Sequence, residues 1–245
     1  MAEISTASDG VPKIAISEHA GARYFCKKVL ERGPLLPDAR ILVAGCGHGM
    51  EAAYIHDQLG VAVDAFDVRL RRGRELPTRP RLKFLECDIS ELPYPDRTFD
   101  IVFYHHVIEH VPDPAGSLLE LSRVSKRSAI MFIGTPNRHR VIGSIGAHER
   151  STMQKVKENL RDWKAMLTGK FRNECGAHAG FSEKELDGLL APYFVERNWI
   201  TGDYLRYKYP RGITGAIAVG MTAGAWRDFA VPAIYALCRR TSNKL

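Results

Sequence analysis

The stretch that decides the fold is residues 41–67, ILVAGCGHGMEAAYIHDQLGVAVDAFD. It opens with four apolar residues, 41–44, which is the pattern of a strand buried on both faces. Glycines follow at positions 45, 47 and 49, and residues 50–59 then have the spacing of a helix that stops at Gly60. Another apolar run, 61–66, ends at Asp67. Strand, glycine turn, helix and strand together predict one βαβ unit.

The same alternation of strands and helices continues on both sides of this unit. Further strands are predicted at residues 82–86, 99–104, 129–133, 194–200 and 233–238. Helices are predicted at residues 17–32, 115–124, 153–167 and 183–190, the last of them capped by Ser182. This order predicts an α/β fold, in which a Rossmann-like, doubly wound and mostly parallel sheet of seven strands carries helices on both faces.

Composition and charge favour a protein of the reducing cytoplasm. The cysteines are scattered without CxxC spacing, at Cys26, Cys46, Cys87, Cys175 and Cys238. The first twelve residues do not join a basic region to an apolar run, so we expect no secretion signal. The net charge of +7 is concentrated in residues 69–83. We interpret these cations mainly as a solvated surface, because no aromatic side chains alternate with them.

The glycine loop has the chemistry of a cofactor site. Gly45, Gly47 and Gly49 let the backbone turn sharply and approach a ligand closely, and the following helix N-terminus favours anionic groups. Position 50 is Met, so the third glycine of the GxGxxG dinucleotide fingerprint is missing, which disfavours a nicotinamide cofactor.

Acidic residues follow the next two strands. A carboxylate at Asp67 can accept both hydroxyls of a ribose, and we include its neighbour Val68 in the predicted cofactor site. Asp88 and Ile89 offer a carboxylate and an apolar wall, which suit the amine edge and the face of an adenine. Ligands of α/β sheets bind at the carboxyl edge of the strands, where these residues are predicted to meet.

These motifs resemble those of class I S-adenosylmethionine-dependent methyltransferases. The loop 43–49 is similar to the first motif of that family, Asp67 to its acidic ribose-binding position, and Asp88-Ile89 to its adenine-binding pair. Residues 99–102 and 108–114, FDIV and IEHVPDP, resemble the fourth-strand signature of the branch that includes ubiquinone-pathway O-methyltransferases. The resemblance covers about residues 37–137 and implies S-adenosylmethionine as cofactor, with His105 beside its methionine part.

The resemblance also suggests a division of the chain. We expect residues 1–36 to form an N-terminal helical segment that contributes to the cleft, and residues 37–245 to form the methyltransferase domain. Insertions at residues 135–180 and 202–231 are predicted to cap the substrate. Residues 212–230 are apolar near basic residues, which motivates the hypothesis of peripheral contact with the inner face of the membrane. We expect a monomer or a homodimer.

The implied reaction is a direct, in-line displacement of the sulfonium methyl by a nucleophile of the acceptor. A hydroxyl acceptor needs a base. The candidates on cleft segments are His105, His106, Glu109, His110, His139 and His178. His106 and His178 are the leading pair and His110 is a further candidate catalytic residue, although each of the histidines also suits a purely structural role. We expect a small-molecule acceptor, such as an isoprenoid, lipid-like or glycosylated metabolite.

Three alternatives stay open. His106, Glu109 and His110 match the HxxEH spacing of inverted zinc peptidases, although Pro112 and Pro114 leave little room for the helix that such a site needs. The basic segment 69–83 would suit an RNA methyltransferase, and a cofactor-binding module without catalysis is the third alternative. We predict no metal site. The resembled branch can hold a divalent ion with an acid followed by Glu-His, and His106 stands where that acid is expected.

Overall fold

A seven-stranded sheet organises the chain. The computed structural model describes residues 19–70, 76–141, 143, 151–173, 178–209, 220, 222 and 227–240. Its strands are β1 (Arg40–Ala44), β2 (Ala62–Asp67), β3 (Leu82–Glu86), β4 (Phe99–His105), β5 (Ser125–Pro136), β6 (Phe194–Trp199) and β7 (Ala233–Arg240), in the order β3-β2-β1-β4-β5-β7-β6. Strands β1 to β5 pair in parallel, and β7 runs antiparallel to both β5 and β6. The predicted doubly wound, mostly parallel α/β fold is confirmed.

Helices cover both faces of this sheet. The described helices are α1 (Ala20–Leu30), α2 (Met50–Leu59), α3 (Pro114–Val124), α4 (Thr152–Leu167), α5 (Glu183–Leu190), α6 (Thr201–Lys208) and α7 (Arg227–Ala230). Strand β1 shows why two layers form, because Ile41 and Val43 enter the core beneath α1, α2 and α6 while Leu42 and Ala44 enter the core beneath α3 and α5. Since all four side chains are buried, the strand reads as a continuous apolar run.

Local signals set the ends of several elements. Helix α2 ends where Gly60 adopts a left-handed conformation, with φ of 67°. Helix α5 begins with a capping box, in which the Ser182 side chain accepts from the Glu185 N–H and the Glu185 side chain accepts from the Ser182 N–H. Helix α1 begins at Ala20, after His19 with φ of 55°, and ends at Leu30, within the predicted helix 17–32, of which residues 17 and 18 lie outside the described residues.

The structure departs from the predicted elements in two places. Strand β5 spans twelve residues instead of the predicted 129–133, because its first residue pairs with Phe99 of β4 and its last seven pair with β7. Helix α6 was not predicted, because Asp203, Arg206 and Lys208 interrupt its apolar residues. Contacts with the rest of the molecule bury Tyr204 and Leu205 and hold this helix.

The hypothesis of membrane contact by residues 212–230 concerns a stretch that lies mostly outside the described residues. Among the residues that are described, none of the helices combines the length and the apolar character that crossing a bilayer requires. The predicted division at residue 36 and the two capping insertions stay predictions.

Candidate active site

The glycine loop joins β1 to α2 and leaves one side of its backbone open. Gly45, Gly47 and Gly49 all have positive φ, at 71°, 53° and 76°. The Cys46 N–H donates to the Phe66 carbonyl of β2 at 2.9 Å, which ties the loop to the neighbouring strand. A Cβ added at Gly47 would meet no atom within 4 Å. A ligand can therefore approach the backbone at Gly47 directly, beside the N-terminus of α2.

Asp67 holds this loop from the end of β2. Its Oδ2 accepts the Gly47 N–H at 2.8 Å, and its Oδ1 accepts the Arg69 N–H at 3.2 Å. A carboxylate offers about four acceptor positions, so these two bonds leave capacity for ligand hydroxyls. Val68 follows with 70% of its side chain exposed. The loop and the predicted ribose-binding carboxylate are thus in direct contact.

The end of β3 completes the same edge of the sheet. The Cys87 N–H donates to the Asp67 carbonyl at 3.1 Å, which places Asp88 and Ile89 next to the end of β2. The backbone N–H and the hydroxyl of Ser90 both donate to Asp88 Oδ1, at 2.8 Å each, and hold the pKa of Asp88 below its usual value. Asp88 is therefore ionised, and Ile89 is buried beside it.

His105 ends β4 and lies between the glycine loop and α1. Its Nδ1 lies 3.5 Å from Glu51 Oε2 of α2. Burial raises the pKa of Glu51, but the interactions with His105 outweigh it, and the net pKa is lowered. The other ring nitrogen, Nε2, is buried and has no hydrogen-bond partner among the described residues. An unsatisfied buried polar atom is costly, so a polar group of a bound ligand would satisfy it.

A substitution at Gly21 of α1 can test whether the packing around His105 is needed for stability and cofactor binding. A Cβ at position 21 would clash with His105 Cε1 and approach Nδ1 to 2.8 Å. Because the aromatic rings of Phe103 and Phe132 pack against His105, that ring cannot move away freely. We expect Gly21→Ala to destabilise the protein by about 1–3 kcal/mol and to weaken cofactor binding, as measured by thermal unfolding and calorimetry.

A matched control is Gly188→Ala in α5, where an added Cβ would meet nothing within 4 Å. This change should stabilise the protein by about 0.5–1 kcal/mol, as glycine-to-alanine changes in helices do. If Gly21→Ala were as stable as Gly188→Ala and bound the cofactor normally, Gly21 would not position His105.

His106 forms the centre of a second polar group, next to the glycine loop. Its backbone has φ of 55° and its N–H donates to the Gly134 carbonyl of β5 at 2.8 Å. The imidazole Nδ1 lies 3.4 Å from Glu109 Oε1, and Nε2 lies 3.2 Å from the Tyr235 hydroxyl. Glu109 is almost fully buried, and its Oε2 accepts the hydroxyl of Thr135 at 3.1 Å.

The charges of this group can be assigned from its surroundings. Burial and the neighbouring His105 lower the pKa of His106, although Glu109 acts in the opposite direction. Burial raises the pKa of Glu109, but His106 outweighs it, so the pKa of Glu109 is lowered overall. At neutral pH the pair is therefore a neutral imidazole beside an ionised carboxylate.

The other candidate histidines lie at different distances from this pair. His110 Nε2 is 3.9 Å from Glu109 Oε1, and the rings of His110 and His178 meet edge to face with centroids 4.6 Å apart. Burial and His110 lower the pKa of His178. The predicted leading pair, His106 and His178, is thus linked through Glu109 and His110 without direct contact. His139 stacks on Phe229, with ring centroids 6.0 Å apart, outside this chain of contacts.

Two of the alternative interpretations can be compared with the geometry. The HxxEH hypothesis needs two histidines on one α-helix, but Ile108–His110 is a single 3-10 turn and His106 precedes it with positive φ. In the basic segment, Arg79 pairs with Asp57 at 2.9 Å and Arg81 donates to the Pro37 carbonyl. Arg71, Arg72 and Arg74 lie outside the described residues.

Three residues of the site were not predicted from the sequence. Glu51 is the second residue of α2, Gly21 lies on α1, and Tyr235 lies on β7, 129 positions from His106. The sequence carries no motif around any of them. A weak signal existed for Glu51, because a carboxylate in the first turn of the helix that follows a glycine loop lies near the carboxyl edge of the sheet.

Four strand ends meet at one edge of the sheet. The glycine loop follows β1, acidic residues follow β2 and β3, and the polar cluster follows β4. This arrangement is typical of a doubly wound domain with a nucleotide-type cofactor site. Residues 42–133 match a family model described as a methyltransferase domain. These 92 residues are thus similar to a methyltransferase domain, and the chain has the fold of class I methyltransferases.

Similar proteins support this assignment. A protein of Mycobacterium tuberculosis (strain CDC 1551 / Oshkosh), named as a probable S-adenosylmethionine-dependent methyltransferase, is 36% identical over 101 residues, which are 40% of this chain and 36% of the relative. The chain thus spans little more than a third of the length of the mycobacterial relatives it matches. A ubiquinone biosynthesis O-methyltransferase of Rickettsia bellii (strain OSU 85-389) is 27% identical and covers 74% of this chain and 76% of its own.

Solved structures agree on the fold. The plantazolicin methyltransferase BpumL, in complex with a triazolic desmethylPZN analog and SAH, aligns with a TM-score of 0.58 at 15% identity, over 94% of this chain and 86% of its own. A geranyl diphosphate C-methyltransferase from Streptomyces coelicolor A3(2) aligns with a TM-score of 0.53 at 18% identity, over 92% of this chain and 76% of its own. At these identities the likeness concerns the fold alone.

Proposed function

We propose that the protein transfers the methyl group of S-adenosylmethionine to a hydroxyl of a small molecule, with His106 as the general base. The observation that carries this proposal is the contact between His106 and the buried Glu109, directly beside the glycine loop. Val107, the next residue, packs where a side chain at Gly45 would lie, so the proposed base is adjacent to the glycine loop.

The cofactor residues are proposed from chemistry that suits the parts of S-adenosylmethionine. The backbone of Gly45, Gly47 and Gly49 would lie against the cofactor. Asp67 and Val68 would hold its ribose region. Asp88 and Ile89 would hold its adenine. The buried and unpaired Nε2 of His105 would meet the polar methionine end. When bound, the cofactor supplies an electrophilic methyl group on a sulfonium.

The proton chemistry follows from the position of Glu109. Its carboxylate faces Nδ1 of His106, which favours the tautomer protonated at Nδ1 and leaves Nε2 as the basic atom. In this tautomer Nε2 accepts from the Tyr235 hydroxyl at 3.2 Å, and an acceptor hydroxyl that takes the place of Tyr235 Oη would give its proton to Nε2. The imidazolium that forms is stabilised by the ionised Glu109 at 3.4 Å. Holding the acceptor in line provides much of the remaining acceleration.

The pH dependence tests the role of His106. Since its pKa is lowered, we expect the acidic limb of kcat/KM to have its midpoint below about 6.5, the value of an unperturbed imidazole. Activity is fully present above that limb and is lost as protonation removes the base. Glu109 raises the pKa of His106, so Glu109→Gln should move the limb to still lower pH. If the midpoint of the acidic limb were unchanged in His106→Gln, the limb would report the titration of another group.

A small-molecule hydroxyl acceptor is supported by the Rickettsia relative, which is named for ubiquinone biosynthesis and aligns over most of this chain. An isoprenoid, lipid-like or glycosylated metabolite is the proposed class. The test is mass spectrometry of a metabolite extract incubated with the protein and isotopically labelled S-adenosylmethionine. We expect the label on an oxygen of a small molecule. Label on RNA, on nitrogen or carbon, or nowhere would contradict the proposal.

A further inference from the structure

Helix α4 has its apolar side turned outwards. None of its sixteen residues is buried. The half-buried side chains recur at helical spacing on one side, at Lys155, Glu158, Asn159, Asp162, Ala165 and Met166. The opposite side consists of what we call the α4 apolar face, formed by Met153, Val156, Leu160, Trp163 and Leu167, which are 65%, 49%, 55%, 41% and 89% exposed. A helix that packs on a core has the reverse arrangement.

Polar contacts, not apolar burial, attach α4 to the rest of the protein. Asn159 Oδ1 accepts the Gly143 N–H at 2.7 Å, and Asp162 Oδ2 accepts from the buried Arg140 at 3.1 Å. The indole N–H of Trp163 donates to the Val141 carbonyl at 2.6 Å. These bonds fix the rotation of α4, so its apolar side is held towards solvent.

The apolar surface continues beyond the helix. Val141 and Phe229 are 52% and 50% exposed, and the Val141 N–H donates to the Phe229 carbonyl at 2.9 Å. Thirteen large hydrophobic side chains are exposed among the described residues, and seven of them lie on α4 or at these two positions. Such concentration in one region is unlike the scattered exposed apolar residues that need no explanation.

The exposed charges of α4 itself have one sign. The exposed charged side chains of α4 are Lys157, Arg161 and Lys164, whereas its acids, Glu158 and Asp162, are half-buried on the inner side. An apolar stripe flanked by cations is typical of a helix that lies in the plane of a membrane surface, with the cations at anionic headgroups. Two copies of this surface would bring like charges together, so a second copy suits it less well.

We propose that the α4 apolar face, with Val141 and Phe229, binds the surface of an anionic lipid bilayer. The surface lies next to the acceptor side of the proposed active site, because Arg140 joins Asp162 of α4 to the carbonyls of His178 and Ala179. Phe229 is shared with the stretch 212–230 for which membrane contact was hypothesised, but Val141 and the residues of the α4 apolar face lie outside that stretch. It also does not require that the chain be catalytically active.

The experiment is co-sedimentation of the full chain with vesicles of phosphatidylcholine, with and without about a third of phosphatidylglycerol. We expect binding to the anionic vesicles, weakened by salt because the charges are exposed. Leu160→Glu and Leu167→Glu should each weaken binding by about tenfold or more, the effect of one leucine that is no longer buried. The matched control is Leu36→Glu, since Leu36 is 71% exposed between α1 and β1. Far-ultraviolet circular dichroism verifies that each variant is folded.

The electrostatic part is tested by the double variant Lys157→Gln and Lys164→Gln, which should lose affinity for anionic vesicles while binding neutral ones as the wild type does. The proposal is overturned if the wild type sediments with neither vesicle, or if Leu160→Glu binds as well as Leu36→Glu. It is equally overturned if ultracentrifugation without lipid finds a dimer that Leu160→Glu dissociates, since the face would then join two copies of the chain.

Discussion

Asp67→Ala is expected to weaken S-adenosylmethionine binding by about 10- to 100-fold. The Asp67 carboxylate accepts N–H groups from Gly47 and Arg69, so its removal frees the glycine loop at the same time as it removes the proposed ribose acceptor. A hydrogen bond to a charged group contributes about 1.5–3 kcal/mol, which corresponds to this range for a single lost bond. Isothermal titration calorimetry with S-adenosylmethionine and S-adenosylhomocysteine measures the change.

Two variants make the result specific. Asp67→Asn keeps one accepting oxygen without the charge, so its affinity for S-adenosylmethionine should lie between those of Asp67→Ala and the wild type. Asp96→Ala removes a carboxylate that pairs with Arg123 near the start of β4, remote from the glycine loop, and should leave cofactor affinity unchanged. Unaltered affinity in a folded Asp67→Ala protein would contradict the proposed role of this residue.

The contact between the glycine loop and Asp67 could be predicted because its geometry is local. Gly47 and Asp67 are twenty positions apart, and a βαβ unit brings the ends of its two parallel strands to the same edge of the sheet. Strand β3 and helix α2 have the predicted bounds for the same reason, since each is a periodic segment followed by a turn signal.

The parts that could not be predicted depend on distant pairing. The contact of His106 with Tyr235 exists because β7 inserts antiparallel between β5 and β6, which no residue near His106 signals. The length of β5 has the same origin, since its last residues, including Thr135, are strand only through their pairing with β7. Helix α6 likewise gains its stability from burial of Tyr204 against Tyr235, with ring centroids 4.1 Å apart.

The histidines of the polar cluster could be predicted only in part. The sequence predicted that His106, His110 and His178 would lie at the cleft, and the fold brings them into one chain of contacts with Glu109. The sequence placed His106 and His178 ahead of His110, but it could not show which histidine lies against the buried carboxylate of Glu109, because that depends on the fold. Spacing alone suggested a zinc-type HxxEH helix, whereas the positive φ of His106 turns its ring towards Tyr235.

The largest effect is expected from His106. We expect His106→Gln to lower kcat by about 10²–10⁴-fold, the usual contribution of a general base, with the dissociation constant for S-adenosylmethionine unchanged. Glu109→Gln should lower kcat by less, since Nε2 remains but its tautomer is no longer favoured. Single-turnover kinetics with the acceptor identified by labelling, together with calorimetry for the cofactor, separate the effect on chemistry from an effect on binding.

The combination of the two changes decides whether the residues act as a pair. If Glu109 acts through His106, the double variant should be no slower than His106→Gln alone, because groups that work as a unit are not additive. His139→Gln is the matched control, since His139 stacks on Phe229 outside the cluster and should keep kcat near that of the wild type. Additive losses would mean that Glu109 acts on the acceptor independently. If kcat were normal in His106→Gln but reduced in His178→Gln, the general base would be His178 and not His106.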